Sequence, residues 1–193
     1  MSYESLVVSA DDSRLTTHDL ILASASPRRL QLLQSIGIKP AHIVAPDIDE
    51  TPRKGELALD YAKRMALEKA DAVQGNFVLA ADTVVACGRR ILPKGETEAL
   101  ARACLKQLAN RRHKVITGVC VRKDGVSKVI AVTTLVQFGN VDIDAYIATA
   151  EWEGKAGGYA IQGAAAAFTK MIRGSYTNVV GLPLYEVLKL LRQ

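Results

Sequence analysis

The chain has 193 residues, 49% of them apolar and 23% charged, with a formal net charge of +5. This balance excludes global disorder, and the length allows one domain or two small lobes sharing a cleft. No apolar run reaches the ~18 residues of a membrane span, and the first residues lack the basic-then-apolar order of a secretory signal.

Residues 1–18 are polar and aperiodic and read as a loose extension before a single domain over residues 19–193. Residues 1–19 carry Glu4, Asp11, Asp12 and Asp19 against Arg14 alone, so the rest of the chain has a net charge of +8. A basic body predicts an anionic partner. The ten aromatic residues do not interleave with basic clusters, which argues against a stable nucleic-acid complex and for a small polyanion. Cys87, Cys104 and Cys120 are odd in number and far apart, fitting neither a disulfide framework nor a zinc spacing. A reduced, cytoplasmic protein without membrane association is the expectation.

Asp19 to Ala23 reads as a buried strand, and Pro27 opens a helix with Leu30, Leu33 and Ile36 on its apolar face, stopped by Gly37. His42 to Pro46 reads as a second strand, followed by a polar loop to Gly55 and a helix over residues 56–73. Phe77 to Ala81 is predicted as a buried strand ending at Asp82, with a hairpin-like segment from Thr83 to Leu92. A helix follows over residues 96–109. Two β-branched runs, Val115 to Val121 and Val126 to Phe138, flank Lys123-Asp124-Gly125 and predict an antiparallel hairpin. Residues 142–150 read as a short helix and residues 159–173 as a Gly- and Ala-rich strand region. The final helix starts at Gly181-Leu182-Pro183. The alternation predicts a mixed α/β sheet with flanking helices.

Ser24-Ala25-Ser26-Pro27-Arg28-Arg29 lies where a strand hands over to a helix, a place suited to phosphate. Its arginines would add bidentate donors, although taken alone the segment reads more simply as Ser26 at an N-cap, Pro27 at the first helical position and two solvated arginines. Asp82, after an apolar strand, could hold Mg²⁺ or accept a proton from water, or simply cap a turn. Asp49-Glu50 is a second acidic pair in a loop, and Lys69 and Lys94 are separate lysines. Gln162, in a Gly-rich segment, carries both donor and acceptor and could read a base edge or satisfy neighbouring backbone. No Walker or Gly-x-Gly-x-x-Gly sequence is present. His18, His42 and His113 neighbour no nucleophile pattern.

LILASASPRR, IDET, ALEKA, LAADTVV, ILPK, KAGGYAIQG and GSYTNVVGLPL occur in that order. Together, over residues 20–191, they resemble the Maf family of nucleoside triphosphate pyrophosphatases. The resemblance implies two lobes around a central cleft, a fold of the Maf and inosine-triphosphatase type. It implies cleavage of a nucleoside triphosphate to monophosphate and pyrophosphate with a divalent cation (Mg, Mn or Co), and a homodimer. Ser24, Arg28, Arg29, Lys69 and Lys94 match the substrate-contacting positions, and Asp82 the proton acceptor. Glu50 and Asp82 are the expected metal ligands. Arg28, Thr83 and Gln162 fall at positions tied to base choice, and the ADT and IQG forms resemble the group acting on dTTP and UTP. The alternatives are the sister group acting on 7-methyl-GTP and a non-catalytic regulator that binds nucleotide or nucleic acid. Gly95 departs from the pattern, which usually has proline after that lysine.

Overall fold

The computed structural model describes residues 19–193, so the loose extension expected over residues 1–18 lies outside the described residues. A seven-stranded mixed sheet runs β2–β1–β3–β5–β6–β7, with β4 paired to β3 beside that path. The strands are β1 (Ile21–Ala23), β2 (His42–Val44), β3 (Phe77–Cys87), β4 (Arg90–Leu92), β5 (Arg112–Lys123), β6 (Val126–Phe138) and β7 (Thr169–Arg173). The helices are α1 (Pro27–Ser35), α2 (Ala58–Asp71), α3 (Glu98–Leu108), α4 (Ile143–Ala148), α5 (Tyr176–Val180) and α6 (Leu184–Leu191). The expected mixed sheet with flanking helices is what forms. The predicted hairpin turns at Asp124 and Gly125, both with positive φ (50° and 80°), the two-residue geometry that fits strand twist.

Three expectations are corrected. The strand expected to end at Asp82 continues to Cys87, because Asp82 and Thr83 find buried partners and need no break. The region 159–173 is mostly turn and a short 3₁₀ segment (Ala164–Phe168), with strand only at β7. Helix α5 was not expected. Its cap is Ser175, whose hydroxyl accepts from the Asn178 N–H at 3.1 Å.

Side chains along β3 alternate between two packed faces. Val78, Ala80, Val84 and Ala86 pack with α2 residues such as Ala62, Met65 and Ala66. Phe77, Leu79 and Ala81 pack on the other face with α1 and α6 through Leu33, Val187 and Leu190, and Val85 joins Val179 and Val180 of α5. Helix α2 lies close to the sheet at Gly118, where the Ala62 carbonyl would stand 2.0 Å from an added Cβ.

One edge of β3 is shared. Parallel β1 covers Val78 to Ala80, and antiparallel β4 covers Val85 to Cys87. Among the described residues, residues 81–84 have no strand partner on that edge, so the sheet is parted there. Side chains from both faces meet at this opening.

A buried aromatic cluster braces the far end. His113 Nε2 and the Tyr159 hydroxyl lie 2.8 Å apart, and Phe138 stacks edge-on against both rings. Burial holds His113 down to about 4, from an ordinary 6.5. The unfolded chain takes up this proton near pH 6.5, whereas the folded chain does so only near pH 4. Stability is therefore full above the upper value and declines as pH falls between the two, by up to ~3 kcal/mol from this group. Replacing His113→Phe removes that dependence. The wild-type-minus-variant difference in unfolding free energy, read from urea titrations, is expected to shrink by ~2 kcal/mol from about pH 7 to about pH 5. A difference that stays constant would show that His113 does not titrate on unfolding.

Candidate active site

The opening in the sheet leads into a cleft of about 430 Å³. The nine residues that match the family's site positions all line it: Ser24, Arg28, Arg29, Glu50, Lys69, Asp82, Thr83, Lys94 and Gln162; Asp49, the other member of the acidic pair, does not. They come from the β1–α1 junction, the loop before α2, α2 itself, β3, the segment after β4 and the loop after α4. The cleft has two characters. Five basic and three acidic side chains line it, and Val85, Val115, Tyr159, Ile161, Val179 and Val180, which belong to one core cluster, supply an apolar wall.

Asp82 faces α2. Its Oδ1 accepts from Lys69 Nζ at 2.6 Å, and the residues are only 3% and 6% exposed. Lys69 also reaches Glu50 Oε1 at 2.8 Å, and Lys94 pairs with Glu50 Oε2. Two carboxylates are thus bridged by one buried ammonium. Burial pushes the Glu50 carboxyl up, but hydrogen bonds from Lys69 and Lys94 outweigh this and hold it below the usual range.

Arg29 is built into the fold rather than solvated. Its Nη1 donates to Ser24 Oγ at 2.8 Å, its Nε to the Gly181 carbonyl at 2.9 Å, and its Nη2 to Thr83 Oγ1 at 3.2 Å. Ser26 makes no side-chain cap to α1. Instead its N–H donates to Ser24 Oγ at 3.2 Å. Arg28 makes no hydrogen bond or ion pair among the described residues. Desolvation lowers the pKa of both guanidinium groups, and so does mutual repulsion at Arg29.

Several lining or supporting residues were not anticipated. Tyr61 on α2 donates to the Glu50 carbonyl at 2.9 Å, and Arg64 donates to the Thr51 carbonyl at 3.2 Å while gripping Glu56 at 2.6 Å. These contacts tie the acidic loop to the helix that carries Lys69. Hydrogen bonds from Arg64 hold the Glu56 carboxyl at about 2. Their one sequence signal was a polar stripe on a helix, which reads as solvated surface. Lys155 also lines the cleft. Burial, and then Arg28 nearby, lower its pKa.

The family model for Maf-like proteins matches residues 19–193. The chain belongs to the Maf family. A dTTP/UTP pyrophosphatase from Paramagnetospirillum magneticum is 55% identical over 180 residues, covering 89% of this chain and 95% of that protein. A dTTP/UTP pyrophosphatase from Zymomonas mobilis is 54% identical, covering 89% of each. Among solved structures, a HAM1 protein from Coxiella burnetii is similar with a TM-score of 0.44 at 16% identity, covering 62% of this chain and 72% of that one.

Within this Maf-family chain, Gly95 has a local reason to differ from proline. Its N–H donates to the Lys155 carbonyl at 2.9 Å, and its carbonyl accepts from the Gly154 N–H at 2.8 Å. A proline would remove the first bond. The segment carrying Lys94 is thereby laced to the one carrying Lys155.

Gln162 is exposed at the cleft and makes no hydrogen bond among the described residues, so it is not consumed by neighbouring backbone. Ion pairs occupy Lys69 and Lys94, but among the described residues none is made by Arg28, Arg29 or Lys155. These three cations line the same cavity.

Proposed function

We propose that this chain hydrolyses dTTP and UTP to the monophosphate and pyrophosphate with the help of a divalent cation. The observation that carries the reading is the cleft itself, where five cationic side chains and an apolar wall share one cavity of about 430 Å³. The names of the relatives more than half identical to it support the same assignment.

The residues fit a cation that arrives with its substrate. Mg²⁺ is commonly held by one or two carboxylates together with phosphate oxygens. Glu50 and Asp82 supply two such carboxylates on one wall, drawn together by Lys69. Asp82 Oδ2 has no protein partner among the described residues. A bound cation would neutralise phosphate charge and polarise the α-phosphate. Arg28 and Arg29 bind and orient the triphosphate, with Lys94 and Lys155 at its flank. Asp82 orients the attacking water and takes its proton, the part left to protein when phosphoryl transfer depends on positioning. Val85, Tyr159 and Ile161 exclude water from around the base, and Gln162 meets its polar edge.

The same reading places the enzyme in the cytoplasm, supported by three unpaired cysteines and by the lack, among the described residues, of a helix long and apolar enough to cross a membrane. It also includes a homodimer, to which exposed Ile43 and Val44 on edge strand β2 lend support.

Pyrophosphate release from a panel of triphosphates, with and without Mg²⁺, tests the function. dTTP and UTP are expected to exceed dATP and dGTP by ~10-fold or more in kcat/KM, with activity lost when Mg²⁺ is removed. Equal rates on purines would overturn the assignment. Gln162→Glu replaces a donor-and-acceptor amide with acceptors only. It is expected to narrow the pyrimidine preference by losing activity on dTTP and UTP, and an unchanged ratio would leave Gln162 without a part in recognition.

A further inference from the structure

Thr83 stands where the charged and apolar halves of the cleft meet. It follows Asp82 on β3 but faces the other way, toward the wall formed by Val85, two residues on, and Val115, the ladder partner of Val85. From its hydroxyl a run of hydrogen bonds leads into the sheet. Arg29 Nη2 donates to Thr83 Oγ1 at 3.2 Å, the hydroxyl oxygens of Thr83 and Thr117 lie 2.9 Å apart, and Thr117 Oγ1 donates to the Asn178 carbonyl at 3.1 Å.

Hydrogen bookkeeping fixes the direction of this run. Each hydroxyl owns one hydrogen and two lone pairs, and a carbonyl can only accept. The Thr117 hydrogen is therefore committed to Asn178, and the hydrogen between the two threonine oxygens belongs to Thr83. The competing acceptor for Thr83 is the Gly181 carbonyl, but it is 3.5 Å away and already takes Arg29 Nε at 2.9 Å. Reversing the run would strip the Asn178 carbonyl of this donor. Thr117 and Asn178 are both fully buried, so solvent does not replace it. With its hydrogen turned inward, Thr83 presents only a lone pair to the cleft.

Gln162 cannot supply this polarity. An amide can turn over and offer its donor or its acceptor with equal ease, so alone it accommodates uracil and cytosine alike. We propose that Thr117 is a specificity-determining positioning residue that holds Thr83 as an acceptor and so selects pyrimidine rings with an N–H at ring position three. Uracil and thymine carry that N–H, whereas cytosine has a bare nitrogen there that would face the Thr83 lone pair. This inference rests on the reading of the cleft as a dTTP and UTP site.

The test measures kcat/KM for UTP and CTP on the wild type, Thr117→Val and Thr117→Ser, with thermal unfolding of each. The wild type is expected to prefer UTP by ~10-fold or more. In Thr117→Val the Thr83 hydroxyl is free to turn, so the UTP-to-CTP ratio should fall at least ~5-fold, mainly by gain on CTP. Thr117→Ser keeps the hydroxyl and should keep the ratio. Thr117→Ala gives the same reading if the valine variant does not fold. A wild type that uses both bases equally, or a Thr117→Val ratio equal to wild type, overturns this inference alone. No release from either UTP or dTTP by the wild type would remove the functional reading along with it.

Discussion

Asp82→Asn is expected to lower turnover by ~10²-fold or more while the protein stays folded. An amide cannot take a proton from water and is a poor partner for a cation. The carboxylate also sits 2.6 Å from Lys69, on the stretch of β3 edge between the segments covered by β1 and β4. Loss of one partner from a buried ion pair often costs ~3–5 kcal/mol because the other charge is stranded. Here Lys69 retains Glu50 at 2.8 Å, and asparagine preserves an oxygen that can accept. The stability cost should therefore stay near ~1–3 kcal/mol. Pyrophosphate release by the purified variant, alongside its melting temperature, separates the two effects. Wild-type turnover would remove Asp82 from the chemistry.

The two neighbouring arginines should respond differently, although both are expected to matter for catalysis. Arg28→Ala and Arg29→Ala should each cost ~1.5–3 kcal/mol in kcat/KM, the scale of a charged hydrogen bond to phosphate. The Arg28 side chain makes no hydrogen bond or ion pair among the described residues, so its removal should leave the melting temperature nearly unchanged. Arg29 spans Ser24, Thr83 and Gly181, joining β1, β3 and the turn after α5. Its truncation releases three bonds at once, and a loss of ~2–3 kcal/mol corresponds to ~5–10 °C for a domain of this size. Equal melting temperatures would mean that Arg29 braces nothing. Unchanged kcat/KM in both variants would remove the two arginines from substrate binding.

Much of this cleft was legible because its residues sit at punctuation marks. The strand-to-helix junction at Ser24 to Arg29 and the Asp124-Gly125 turn announce themselves through Pro, Gly and the end of an apolar run. Local pattern failed where a distant partner changed the cost of a polar residue. Asp82 and Thr83 looked like a strand end because two adjacent polar groups are normally too costly inside a sheet. Lys69, thirteen positions upstream, and Thr117, thirty-four downstream, remove that cost. His113 neighbours no nucleophile pattern in the sequence, and the partner that keeps it buried, Tyr159, lies forty-six positions away. Helix α5 was hidden by its length of five residues, too short to show a period, although Ser175 was present as its cap. Tyr61 and Arg64 act through backbone carbonyls of a loop, which no spacing rule displays.

The consecutive placement of Asp82 and Thr83 makes the reading frame of β3 a functional quantity. Strand side chains alternate with a period of two, so insertion or deletion of one residue just upstream would turn the acid toward the face of Val115 on β5 and the hydroxyl toward Lys69. No substitution elsewhere could restore both. Ten successive ladder pairs with β5, Phe77 through Ala86, lock that frame by setting many hydrogen bonds against any slip. Length changes should therefore be borne by the exposed turns of the chain and refused by this strand, however conservative the inserted residue.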